Sequence, residues 1–152
     1  MLEEPVPWLW LGPVAFAALW LAIFAIVARW GGWIELAKAY PSLGSPSGNR
    51  FRMRSAQFRA GCNYNNCITF VSSQTGLHLS MPFVFSFHHA PVFLPWSDLR
   101  ADEERSWLMP VVVLTASRCP NIPIKLSRKL ARQLLAPVDS RLQQAPAAGF
   151  RS

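Results

Sequence analysis

The chain has 152 residues, 51% of them hydrophobic and only 15% charged, with a formal net charge of +7. That length holds one ordinary domain, and the composition excludes a disordered chain, a repeat array and a multidomain enzyme. The apolar excess is concentrated near the start, which also argues against a wholly soluble protein.

From Trp8 to Ala28 run 21 residues without a charge, a side-chain amide or a hydroxyl. As a helix this stretch reaches about 30 Å, the thickness of a bilayer's hydrocarbon core. Pro13 falls near its start, where a missing backbone donor does least harm. A cleaved secretion signal fits poorly. The region before the run carries Glu3 and Glu4 and no basic side chain, and Arg29, Trp30 and Trp33 follow an apolar run too long for a signal. The expectation is an uncleaved transmembrane helix over residues 8–30, with Trp8 and Trp10 at one membrane interface and Trp30 and Trp33 at the other. Gly12, Ala15, Ala18 and Ala22 share one side of it, where small residues permit close helix packing in lipid.

Basic residues follow the run and none precedes it, which predicts an extracytoplasmic N-terminus (residues 1–7) and a cytoplasmic C-terminal domain. In a bacterium the host would be the inner membrane. Residues 34–152 carry 14 basic and 6 acidic side chains, a formal +8. Such a domain is drawn toward anionic lipid head groups. Arg50, Arg52, Arg54 and Arg59, with Tyr64 on a neighbouring polar loop, are the candidate contacts for lipid or a protein partner.

Residues 31–49 read as a juxtamembrane segment. The first ten continue the helix along the interface, and Pro41 to Asn49, rich in Ser, Gly and Pro, forms a linker that leaves the domain some freedom. Beyond it the pattern turns to short strands. Arg50 to Ser55 alternates in period two, and Asn66–Ser72 and Leu77–Met81 flank a turn at Gln74–Gly76 as a hairpin. Phe83–Phe87 is aromatic and β-prone, Val92–Leu94 is short, and Asp98–Ser106 reads as a loop or helical turn. Met109–Thr115 is a strand, as is Ile122–Leu126, placed near an edge because Pro123 lacks a donor. Ser127 can cap a final amphipathic helix that buries Leu130, Leu134 and Leu135. Pro137 is expected to end or kink it, with a further helical stretch to Ala145 and a frayed tail over 146–152.

The expected class is therefore membrane-anchored α+β: one transmembrane helix, then a mainly antiparallel β domain over residues 50–145, a small barrel or bent sheets, closed by a C-terminal helix. This layout resembles pleckstrin-homology-like domains. The segment Cys62–Ser127 also resembles a group of short membrane-anchored proteobacterial proteins of uncharacterised activity. The matching residues are Tyr64-Asn65-Asn66-Cys67, Gly76-Leu77-His78-Leu79, Pro91 to Trp96 with Ser97, and Ile124 to Leu130. The resemblance implies an anchor and a compact β domain, and no reaction.

Chemistry is sparse. Cys62 and Cys67 have a spacing that two zinc ligands can use, and His88 and His89 are the residues that would complete four. Adjacent histidines on a strand point to opposite faces, however. A thiol nucleophile from Cys62 or Cys67 with His78 or His88 needs an oriented imidazole and an oxyanion hole that no motif supplies. No cofactor is expected. The arginines interleaved with Phe51 and Phe58 suit single-stranded nucleic acid, but positive-inside topology accounts for them more simply. The leading expectation is a non-catalytic interaction or accessory protein that binds a protein partner or anionic head groups. A metal- or thiol-dependent enzyme and a purely structural subunit of a membrane complex stay open beside it.

Overall fold

The computed structural model describes residues 7–105 and 107–144, with side chains up to residue 138. The expected extracytoplasmic residues before Pro7 and the tail 146–152 lie outside the described residues. The first helix, α1 (Trp8–Trp30), is continuous through Pro13. It is long and apolar enough to cross a membrane, with a mean hydropathy of 2.3 over its most apolar window, and nearly all of that window is uncovered by the rest of the chain.

The chain does not simply run on along an interface. Gly31 donates to the Val27 carbonyl at 2.8 Å, and Gly32 then turns left-handed at φ +86°. That turn sends α2 (Trp33–Ala39) into the β domain. Trp33 and Leu36 are fully buried and Tyr40 nearly so. The Trp33 indole N–H donates to the Ala90 carbonyl at 2.9 Å. The expectation of Trp33 as an interfacial anchor is thus corrected: its ring is core, because the break at Gly32 points it inward. The linker is tied down where it begins. Ser42 N–H donates to the Pro91 carbonyl at 3.2 Å, and Pro41 bridges to Val92.

Seven strands follow: β1 (Asn49–Gln57), β2 (Asn63–Ser72), β3 (Gly76–Ser80), β4 (Val92–Pro95), β5 (Leu99–Arg105), β6 (Pro110–Ala116) and β7 (Cys119–Ser127). They form one antiparallel sheet in the order β4-β3-β2-β1-β7-β6-β5. The sheet does not close as a barrel. Its two outer strands, β4 and β5, are adjacent in sequence and joined only by the 3-10 turn Trp96–Asp98, which brings them round without pairing them. The middle is also weak, since β1 and β7 pair at a single position, Gln57 with Lys125. Two meanders, β1–β4 and β5–β7, therefore meet at a narrow hinge, as in bent sheets. The last helix, α3 (Arg128–Gln144), packs Leu130, Ala131 and Leu134 against β2, β6 and β7. The Leu130 N–H donates to the Ser127 hydroxyl at 3.3 Å, the expected cap. α3 runs through Pro137 rather than ending there.

Two other expectations change. Of the expected loop Asp98–Ser106, Leu99–Arg105 is strand β5 and Ser106 lies outside the described residues; the side chains from Arg100 to Arg105 are exposed on both faces, so no apolar alternation marks the strand. Its seven register partners in β6 define it instead. Phe83–Phe87 is not a strand but lies in a 3-10 turn, Phe83–His88, that leaves Phe83, Val84 and Phe87 exposed. Pro123, expected near an edge, lies in an inner strand. It is tolerated because the β6–β7 register is irregular between Ala116 and Leu114, where Pro123 falls.

Candidate functional site

Beside the single β1–β7 ladder pair lies a cleft of ≈ 410 Å³ between the two meanders. β1 supplies Met53, Arg54, Ser55 and Gln57, and β7 supplies Lys125 and Leu126. The start of α3 closes the floor with Lys129, Leu130 and Gln133, while Asn63, Asn65 and Asn66 and Met109 form the rim. Three cations line this space and no carboxylate does. Lys125 holds Glu104 at 3.2 Å, from outside the cleft. Arg54 and Lys129 are solvent-exposed. The volume is that of a small-molecule pocket.

The backbone around the cleft is irregular. Met53 and Asn66 both have positive φ, at 54° and 52°, and the β1–β2 register shifts on either side of Arg54. For asparagine that conformation is cheap, whereas for Met53 it costs about 1–2 kcal/mol. Ser55 fastens the two strands there, donating to the Asn66 side-chain oxygen at 3.2 Å and accepting from its backbone N–H at 2.9 Å. The register shifts lie on the β1 segment that lines the cleft.

A second constellation lies where α1 meets the domain. Tyr64, Trp33, Phe58 and His89 form a buried aromatic cluster, which Phe24 of α1 joins edge-on to His89. Tyr64 Oη and His89 Nε2 are 3.0 Å apart. His89 is fully buried, and its Nδ1 finds no hydrogen-bond partner among the described residues. Burial holds its pKa down to about 4, outweighing the nearby Phe85 carbonyl, which favours the charged form. Burial likewise pushes the Tyr64 hydroxyl far above its ordinary value. Both groups are neutral at physiological pH, and the Nδ1–H tautomer of His89 lets Tyr64 donate to Nε2.

Arg59 secures the same joint from outside. Its guanidinium grips Glu35 of α2 at 3.0 and 3.1 Å and donates to the carbonyls of Trp30 and Arg29 at 3.1 and 3.3 Å. It caps the carbonyl end of α1, where a cation is favoured. That bond to Arg59 is the main reason the Glu35 carboxyl sits below its usual range.

The predicted site residues thus separate. Arg50, Arg52 and Arg54 are exposed along β1, but only Arg54 lines the cleft. Arg59 is committed to Glu35 and α1, and Tyr64 is core rather than a contact rim. Trp8, Trp10 and Trp30 are exposed at the two ends of α1, and Gly12, Ala15, Ala18 and Ala22 lie uncovered along it. Among the described residues no three His, Cys, Asp or Glu side chains come together. His89 is turned into the core toward Tyr64 while its neighbour His88 is exposed, so the two do not converge with Cys62 and Cys67. Burial raises the pKa of the Cys67 thiol, which weakens it as a nucleophile. His78 is engaged by the Ser42 hydroxyl at 3.2 Å and by the Phe93 ring. Lys125, Lys129 and Met109 were not among the sequence candidates. Their approach to Arg54 depends on the long-range pairing of β7 with β1, which no local pattern encodes. No family model, curated protein or solved structure matches the chain, so the functional conclusion rests on its own residues.

Proposed function

We propose that the chain is a single-pass membrane protein whose β domain is a non-catalytic binding module, held at the cytoplasmic face and taking acidic lipid head groups in the β1–β7 cleft. The observation that carries this is the cleft's lining: Arg54, Lys125 and Lys129 with no carboxylate among them. Phosphate oxygens are accepted by such a set of donors, and the asparagine amides on the rim add neutral ones. The close seating of α1 supports a retained anchor. Ala28 is fully buried against the domain and Arg59 caps the helix end, so α1 and the domain share one interface. The basic domain then belongs on the side where positive flanks remain.

The test is lipid retention. The full chain is reconstituted in vesicles of phosphatidylcholine and phosphatidylglycerol, extracted gently, and weighed intact with its bound lipid. Wild type is expected to retain phosphatidylglycerol, and the Arg54→Glu/Lys129→Glu variant to lose it. Equal retention of both lipids by wild type defeats the head-group assignment. Release of the protein from membranes by carbonate defeats the anchor itself.

One observation favours a protein partner as well. Trp107, Leu108 and Met109, at the tip of the β5–β6 hairpin, are 93%, 78% and 71% exposed. An apolar tip of this kind suits an accessory subunit that docks on a larger membrane complex. Gentle extraction followed by identification of co-purifying chains tests it; recovery of the chain alone counts against it.

A further inference from the structure

We propose that the aromatic turn Phe83–His88 is a second membrane contact, a wedge that sinks into lipid beside α1. This deepens the function proposed above and requires α1 to cross the bilayer.

The turn is fixed in depth by α1. Phe85 stacks on Phe24 with ring centroids 5.2 Å apart and reaches Trp20 at 6.5 Å. Trp20 in turn packs on Phe24 at 5.1 Å. The uncharged run of α1 ends at Ala28, just before Arg29. Phe24 lies four residues short of that end, about 6 Å along the helix axis, and Trp20 lies about 12 Å short. A turn held against those two rings stands at the level of the head-group and acyl boundary or below it, the depth at which interfacial elements bury their apolar face.

Most of what the turn presents there is apolar, with the exposed His88 at its end. Phe85 faces α1, while Phe83, Val84 and Phe87 project away from the protein, 84%, 67% and 69% exposed. Three large apolar side chains within five residues make a patch that water alone does not account for. The surrounding sequence agrees, because residues 60–97 contain no Lys, Arg, Asp or Glu. The backbone of the turn is also prepared for a medium that offers few hydrogen bonds. Phe85 N–H donates to the Pro82 carbonyl at 2.8 Å, and His89 N–H to the Ser86 carbonyl at 3.1 Å. The Ser86 hydroxyl donates back to the Phe83 carbonyl at 2.8 Å. Internal pairing of this sort is what lipid demands. Continuity with α1 identifies the occupant as the bilayer that surrounds that helix.

The experiment places the photoreactive residue p-benzoylphenylalanine, one site at a time, at Phe16, Phe83, Phe87 and Gln74 in the full chain. Phe16 reports α1, and Gln74 reports the β2–β3 turn at the far end of β2. Each protein is reconstituted in phosphatidylcholine and phosphatidylglycerol vesicles, illuminated, and weighed for a covalent lipid adduct. The expected result is an adduct at Phe16, Phe83 and Phe87, with loss of the signal at Gln74. An adduct at Phe16 without one at Phe83 and Phe87 overturns the wedge and leaves the transmembrane helix standing. Equal adducts at Gln74 and Phe87 overturn it too, since the turn then has no special depth. Absence of an adduct at Phe16 removes the membrane crossing, and the wedge falls with it.

Discussion

The two meanders of the sheet are built from different material. The first, β1–β4, contains the 38-residue stretch from Ala60 to Ser97 without an acid, a lysine or an arginine. It carries the Tyr64–His89 pair and the aromatic turn, and α1 seats against it. The second, β5–β7, carries Asp102, Glu103 and Glu104, with Asp98 in the turn before it; Asp98, Glu103 and Glu104 pair with Arg118, Arg128 and Lys125, and the aromatic joint lies elsewhere. Stability in the first comes from desolvated rings, whose deletion leaves a cavity. In the second, exposed ion pairs decorate a ladder that its backbone already specifies. A substitution of similar size should therefore cost much in one and little in the other.

The largest effect is expected at Trp33. The side chain touches Phe58, Tyr64 and His89 and is fully buried. Trp33→Ala should lose about 3–5 kcal/mol of stability, the usual cost of deleting a buried aromatic. Denaturation of the purified protein in detergent measures it. A loss comparable with that of a surface substitution means the joint is not the core of the first meander.

Next comes pH. His89 is neutral when folded, with a pKa of about 4 against its ordinary 6.5. The unfolded chain therefore takes up a proton first as pH falls. Stability should be level above about pH 6.5, fall between 6.5 and 4, and level off below, for a total of up to about 3 kcal/mol. Burial lowers the His78 pKa as well, so it adds to the same slope. Glu35, whose carboxyl is held low by Arg59, contributes only below 4.5. His89→Phe should flatten most of the slope in a pH series of denaturation curves, and an unchanged slope assigns it to His78.

Gly32 is a smaller and more local matter. With φ at +86°, a Cβ there would lie 2.8 Å from the Ile122 side chain. Gly32→Ala should cost about 2 kcal/mol, from the left-handed conformation and the contact together. Thermal denaturation beside the exposed control Gly44→Ala, where φ is +91° and nothing lies within 4 Å, separates the two causes.

Much of this architecture is legible in the residues, and the gaps have physical reasons. α1 announces itself by length and lack of charge, β2 and β6 by β-branched and aromatic runs, β3 by the Gln74–Gly76 turn before it, and the start of α3 by Ser127 and its leucine spacing. β5 does not, because an outer strand wet on both faces has no apolar period to detect. The aromatic turn imitates a strand because Phe and Val are strand formers by type, whereas here only Phe85 packs, on α1. The break at Gly32 sits at a pair of glycines, but its direction depends on the rings of Phe58 and Tyr64 that receive Trp33. The cleft was half visible: Arg54 belongs to a basic run, whereas Lys125 and Lys129 join it only through the β1–β7 hinge.

The smallest effect on stability falls in the second meander and bears on the cleft. Glu104 holds Lys125 at 3.2 Å, with its own side chain about half exposed. An exposed pair of this kind contributes about 0–1 kcal/mol, so Glu104→Gln should leave the denaturation curve nearly unmoved. The same change releases Lys125 toward a cleft that already holds Arg54 and Lys129 and lacks a carboxylate. If the lysine gains about 0.5 kcal/mol of interaction with an acidic head group, retention of phosphatidylglycerol should rise roughly twofold. Stability and lipid retention are thereby predicted to part company at one residue. A Glu104→Gln protein that is clearly destabilised shows that the second meander depends on its ion pairs, and the contrast with the aromatic joint is lost. A stable variant whose lipid retention is unchanged shows instead that Lys125 does not act in the cleft.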